Sequence, residues 1–210
     1  MKVLSMPQGS PEWLAARAGK VTASRINDVM AAKTTAAYLD YRAQIVAEIL
    51  TNQPQESGFT NAAMQWGTEQ EKFARAEYEM FCAWTVDEAW TVDEVGLVIH
   101  PTIEQGAASP DGLVSTEGLV EIKCPKTATH LQTLIDKKQP RQYENQMLWQ
   151  MACTGRQWCD FVSYDPRLPE DLQLFVHRFD RDQERIDAIE EAVKQFLNEV
   201  NEMIDNIRKK

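Results

Sequence analysis

The chain has 210 residues, 43% hydrophobic and 26% charged, which is enough for one sizeable core and favours a single domain over 1–210. No apolar run approaches membrane-spanning length, and the opening Met1-Lys2-Val3-Leu4 stretch is too short for a secretory signal, so a cytoplasmic protein with no membrane partner is expected. A net charge of −10 counts against nucleic-acid binding, because phosphates are neutralised by Lys and Arg, but distribution matters more than the total. The acids are concentrated in residues 180–205, and the rest of the chain is much nearer neutrality. An acidic exterior around a basic interior channel is the expectation. Cysteines 82, 124, 153 and 159 form no Cys-x-x-Cys pair and the three histidines have no zinc spacing, so buried reduced thiols are expected.

Three regions are expected: N-terminal helices over 1–60, a core over 61–180 and an acidic closing helix over 181–210. Ser10 and Pro11 open a short helix that Gly19 ends, and a second helix runs to about residue 32. Arg17 and Ser24 bracket that glycine and are placed to share one anion; a capping serine and an exposed arginine are the alternative. Lys33 lies just beyond. Residues 36–50 are amphipathic, with Tyr38, Ile45, Val46, Ile49 and Leu50 inward. A long helix over about 61–82 carries Trp66, Gly67 and Glu71, and Gly67 is expected to interrupt or tighten it. The hexapeptide Ala83-Trp84-Thr85-Val86-Asp87-Glu88 then repeats at once as Ala89-Trp90-Thr91-Val92-Asp93-Glu94, too short a period for a solenoid unit and so a local duplication.

Chemistry concentrates in Ser109-Pro110-Asp111-Gly112 and, after nine intervening residues, in Glu121-Ile122-Lys123. Residues 119–123 read as a buried strand whose period of two puts Glu121 and Lys123 on one face, with Val120 and Ile122 on the other. The turn at 115–118 makes a hairpin that brings Asp111 beside Glu121. Two carboxylates converging on one point repel unless a hard cation lies between them, and oxygen ligands favour Mg²⁺ or Mn²⁺. A surface ion pair between Glu121 and Lys123 is the plainer reading of that triplet alone. Beyond the hairpin, a helix over 126–138 precedes one opened by Pro140, on which Gln142, Gln146 and Gln150 form a polar stripe. Strands over 157–164 and 172–179 follow. The last helix has Ile186, Ile189, Val193, Phe196, Leu197, Val200 and Ile204 inward. The plan is α/β, with a mixed central β-sheet flanked by helices.

The Trp13-x-x-x-Arg17-x-Gly19-x-x-Thr22-Ala23-Ser24 block, Trp66-Gly67 with Glu71, the Asp111–Glu121–Lys123 set and Tyr143-x-x-Gln146 occur in one order. In that order they resemble the phage lambda exonuclease and YqaJ-type viral recombinase nucleases of the PD-(D/E)xK superfamily. One departure is Leu148, where the family pattern usually has a second glutamine. The resemblance implies a restriction-endonuclease-like (PD-(D/E)xK) core and 5′-to-3′ digestion of double-stranded DNA ends, releasing mononucleotides. It implies two Mg²⁺ ions, or Mn²⁺, held by Asp111, Glu121, the Ile122 backbone carbonyl and Glu71. Lys123 then orients or deprotonates the attacking water, Gln146 joins the catalytic set, and Arg17 and Ser24 take the DNA 5′-phosphate. Ser109, whose hydroxyl stands beside the acid, is within reach of the same phosphates; Met64, just before Trp66, is either an apolar DNA contact or a core residue. It further implies a homotrimeric ring and a single-strand annealing protein as partner. An endonuclease on the same core and a non-catalytic DNA-end-binding protein are the rival readings. Deleting one copy of the tandem hexapeptide is expected to leave soluble expression and activity near native; loss of soluble protein would show that the repeat is structural.

Overall fold

Helix α7 (Gln183–Arg208) shows most directly how the sequence pattern becomes packing. All seven residues of its expected inward stripe are buried. They lie against α3 (Ala36–Thr51), where the Phe196 ring sits edge-on to Tyr38 at 5.2 Å and stacks on Tyr41 at 5.5 Å. Most of its acids remain on the outer face, but Glu199 pairs with Lys33 and Arg42, and Glu190 meets the buried His100 ring at 3.2 Å. The computed structural model describes residues 1–55, 62–85 and 91–209, leaving aside the side chains of 62–64 and 85.

The strands form two mixed sheets. The larger has the order β3 (Val92–Asp93), β6 (Gly112–Val114), β7 (Gly118–Lys123), β8 (Trp158–Tyr164), β9 (Leu174–Asp180), with β7 parallel to β8 and its other pairs antiparallel. This is the expected mixed sheet flanked by helices. A second sheet, β1 (Lys2–Leu4), β4 (Leu97–Ile99), β5 (Gly106–Ala108), β2 (Val21–Thr22), accompanies it. Strands β1, β2 and β5 have no counterpart in the sequence reading, because segments of two or three residues are too short to show an alternating pattern.

In β7, Val120 and Ile122 face α4 (Ala62–Thr85) and pack with Ala74, Tyr78 and Cys82, while Leu119 joins the core on the other face, under α6 (Glu144–Thr154). That alternation is the one the sequence predicts. Asp160 of β8 pins α4 to the sheet. It takes the Tyr78 hydroxyl at 2.7 Å and the Arg178 guanidinium through two bonds of 2.9 Å. On the other face, Trp149 of α6 donates its indole N–H to the Ala107 carbonyl of β5 at 3.1 Å, so one helix holds both sheets.

Two boundaries differ from expectation. Helix α4 runs unbroken through Gly67 to Thr85, because one glycine costs about 1 kcal/mol and a long packed helix absorbs that. The segment after Pro140 begins as a 3₁₀ turn over Arg141–Tyr143 before α6 proper. The remaining helices are α1 (Pro11–Arg17), α2 (Ile26–Met30) and α5 (Thr127–Asp136). The middle of the tandem hexapeptide lies outside the described residues. Removing the Phe196 ring empties the contact between α7 and α3. Phe196→Ala should cost about 3–5 kcal/mol, read as a lowered denaturation midpoint; a change under about 1 kcal/mol would show that α7 is not part of the core.

Candidate active site

The β6–β7 hairpin builds the centre of the site. Gly112 pairs with Val120, Leu113 with Leu119 and Val114 with Gly118. Asp111, one step before this ladder, therefore lies beside Glu121, and its Oδ2 accepts the Ile122 backbone N–H at 2.6 Å. Gly112 has no substitute here: a Cβ would stand 2.0 Å from the Val92 side chain. Gln8 donates one amide to the carbonyls of Pro110 and Val95, both at 2.9 Å, and so fixes the turn that carries Asp111.

Glu121 is fully buried. One carboxylate oxygen, Oε1, accepts the Lys123 ammonium and the Gln146 amide, the latter at 2.5 Å; Oε2 accepts the Gln150 amide at 2.6 Å. Burial pushes the Asp111 carboxyl well above the usual carboxylate range, and the Glu121 and Glu71 charges push the same way against Lys123 and the Ile122 N–H. Burial alone would lower the Lys123 ammonium, but Glu121 and Asp111 outweigh it and the net shift is upward. Lys123 is therefore a cation at neutral pH when nothing else neutralises its carboxylates.

Glu71 comes from α4 and reaches the centre indirectly. It pairs at 2.8 Å with Arg75, which donates in turn to the Asp111 backbone carbonyl at 3.3 Å and to Glu94. Burial raises its carboxyl, against the pull of Arg75 and Lys123. Among the described residues, no three His, Cys, Asp or Glu side chains converge into a cage of their own. The close donor set is two carboxylates, Asp111 and Glu121; the Ile122 carbonyl, on the strand between Glu121 and Lys123, is the backbone oxygen that could join them. Hard oxygen donors under mutual repulsion suit a divalent cation such as Mg²⁺ or Mn²⁺.

The N-terminal block forms the other wall. The Arg17 guanidinium lies over the Trp13 ring at 4.0 Å and approaches the hydroxyls of Thr22 and Ser24 at 3.5 Å. The Trp13 indole N–H donates to Ser109 Oγ at 2.9 Å. Arg17, Ser24, Ser109, Asp111, Glu121, Lys123 and Gln146 thus line a single cleft of about 210 Å³. Lys33 is not among them; it pairs with Glu199 on α7 at 2.6 Å. The Met64 side chain lies outside the described residues.

Several contributing residues escaped the sequence reading. Gln8 lies in an unpatterned segment. Gln150 reads only as one member of the polar stripe on its helix, yet it is fully buried. Glu48 on α3 is buried and accepts the Gly19 backbone N–H at 2.8 Å, where Gly19 has φ +71°, and so holds the turn between Arg17 and Ser24. The one hint of it is a charge among the apolar positions of α3.

A mixed sheet bearing two carboxylates and a lysine on its central hairpin, with helices on both faces, defines the class: an α/β protein with a nuclease fold. The chain belongs to the YqaJ-like viral recombinase domain family, whose profile matches residues 12–157. It is similar to the crystal structure of an alkaline exonuclease, LHK-Exo, from Laribacter hongkongensis. The two are 48% identical with a TM-score of 0.86 over 95% of this chain and 97% of that one. The same enzyme in complex with dAMP matches equally well. A phage related exonuclease from Haemophilus somnus 129PT shares the fold at 17% identity, with a TM-score of 0.68 over 90% of this chain and 96% of that one. A comparison with curated proteins gave no match. No helix among the described residues is long and apolar enough to cross a membrane.

The crowding at Asp111 has a measurable consequence. Below the ordinary aspartate range its carboxyl is protonated in folded and unfolded chains alike and contributes nothing to stability. As pH rises from the ordinary aspartate range to its raised folded value, the unfolded chain releases the proton more readily and the native state loses stability, with no further loss above that. Asp111→Asn should therefore raise the Tm of the metal-free protein at neutral and alkaline pH, with the difference vanishing in acid. A lower Tm at neutral pH would contradict the repulsion.

Proposed function

We propose that the protein is a DNA nuclease, and specifically a Mg²⁺-dependent 5′-to-3′ exonuclease on double-stranded DNA ends that releases mononucleotides and leaves 3′ single strands. The observation that carries this reading is the shared cleft: the Asp111–Glu121–Lys123 centre and the Arg17–Ser24 pair open into one space. Similarity at 48% identity to an alkaline exonuclease, which in one structure is complexed with dAMP, supports it.

Asp111 and Glu121, with the Ile122 carbonyl, would hold the cation; Glu71 would support a second from behind Arg75. When bound, such ions supply positive charge to the attacking and leaving oxygens of an in-line displacement. Lys123, charged and tied to Glu121, orients the attacking water and offsets charge developing on the phosphoryl oxygens. Gln146 fixes the Glu121 carboxylate. Arg17 and Ser24 grip a terminal 5′-phosphate, so that a non-reacting group sets which bond meets the centre. Trp13 couples the two halves, since it supports Arg17 on its ring and holds Ser109 through its N–H. The acidic outer face of α7 discourages internal duplex from binding outside the cleft. A ring-shaped homotrimer and a single-strand annealing protein as partner belong to the same proposal and rest on the family.

Linear and circular duplex, with and without a 5′-phosphate, in Mg²⁺ and in EDTA, separate the readings. Digestion of linear DNA only, faster with the 5′-phosphate and abolished by EDTA, is expected. Cutting of circles would select an endonuclease, and binding without cleavage a non-catalytic end-binding protein. Lys123→Ala should lower the cleavage rate about 10²–10⁴-fold while sparing DNA binding; near-native cleavage would remove Lys123 from its role. Arg17→Ala should erase the preference for 5′-phosphorylated ends, and an unchanged preference would place the phosphate elsewhere.

A further inference from the structure

We infer that Gln150 is a positioning residue for Glu121, fixing which oxygen of that carboxylate is left to a divalent cation; this rests on the nuclease reading above. Gln146 and Gln150 lie one turn apart on the same side of α6, and each sends an amide N–H to Glu121, but to different oxygens. Oε1 accepts both Gln146 and Lys123, whereas Oε2 accepts Gln150 alone. An ionised carboxylate has about four lone-pair sites, two on each oxygen. Oε1 is therefore filled, and Oε2 keeps one lone pair whose direction the Gln150 bond sets. Turning the Gln150 amide over would bring its carbonyl against the carboxylate, so the donor must face Glu121.

The glutamine is expensive at this position. It is fully buried, and its own Oε1 has no hydrogen-bond partner among the described residues. A buried carbonyl left unmet costs about 1–3 kcal/mol, and a leucine of similar size would avoid that. Leu148, two residues earlier, is such a residue; about 200° round the helix from Gln146, it points into the apolar core and cannot reach Glu121. What Gln150 supplies in exchange for its unmet carbonyl is one N–H to the carboxylate at the centre of the site. A residue kept only for packing would not need it.

Titration of the metal-free protein with Mn²⁺ alone, followed by calorimetry, tests this without any cleavage assay. Gln150→Leu should weaken Mn²⁺ binding by about 10-fold or more, the usual loss when a group orienting a metal ligand is removed. Its Tm without metal should fall, because the buried Oε2 then has no donor; the loss of Mn²⁺ affinity in the still-folded variant is the readout that a purely structural glutamine would not give. Gln150→Met, unbranched and of the same length, should behave alike and serves if the leucine variant folds poorly. In cleavage assays both variants should need more Mn²⁺ to reach half-maximal rate. Native-like Mn²⁺ affinity in a folded variant would overturn the role of Gln150 while leaving the nuclease reading intact. Absence of Mn²⁺ binding by the native chain would overturn both.

Discussion

Two carboxylates, Asp111 and Glu121, are held side by side on adjacent strands in a partly dry environment, and everything else in this protein accommodates that repulsion. Neutral donors carry much of the load. The Ile122 N–H meets Asp111, and the Gln146 and Gln150 amides meet Glu121. Lys123 adds one positive charge for two negative ones, so the cluster stays short of cations. Such an arrangement is costly in a protein with nothing to bind there, and is suited to one that binds a divalent ion.

The fold can be read as support for this cluster. Strand β7 is central in its sheet, so neither Glu121 nor its neighbours can drift as they would on an edge. Helix α6 delivers both glutamines while Trp149 ties the same helix to the second sheet. Helix α4 is locked to the sheet by the Tyr78–Asp160–Arg178 network, and from that fixed position brings Glu71 and Arg75 behind Asp111. The N-terminal turn, set by Glu48 through Gly19, closes the cleft from the other side with Arg17 and Ser24. Rigid elements thus place the chemistry, and a tight turn places the anion contact.

How much of this the sequence shows depends on whether a residue belongs to a pattern. Asp111 and Glu121 are legible because a hairpin of known length and a period of two leave little choice of register. The α7 stripe is legible because seven apolar residues recur at helical spacing over a long segment. Gly106-Ala107-Ala108 gives no sign of being a strand: it has no branched side chains and no alternation, and tertiary contacts with β4 and β2 decide its conformation. Gln150 and Glu48 fail for a different reason. Periodicity identifies a polar position on a helix but not what the polar group meets, and here it meets a buried carboxylate in one case and a backbone N–H in the other. Gly67 misleads because its local propensity is overridden by the length and packing of α4.

The central claim is that Asp111 and Glu121 share one divalent ion. Anomalous diffraction from crystals soaked in Mn²⁺ addresses it most directly. One strong peak within bonding distance of a carboxylate oxygen from each residue, lost in Asp111→Asn crystals, is the expected result. A protein that takes up Mn²⁺ elsewhere, with the space between these two side chains empty at saturating metal, would contradict it.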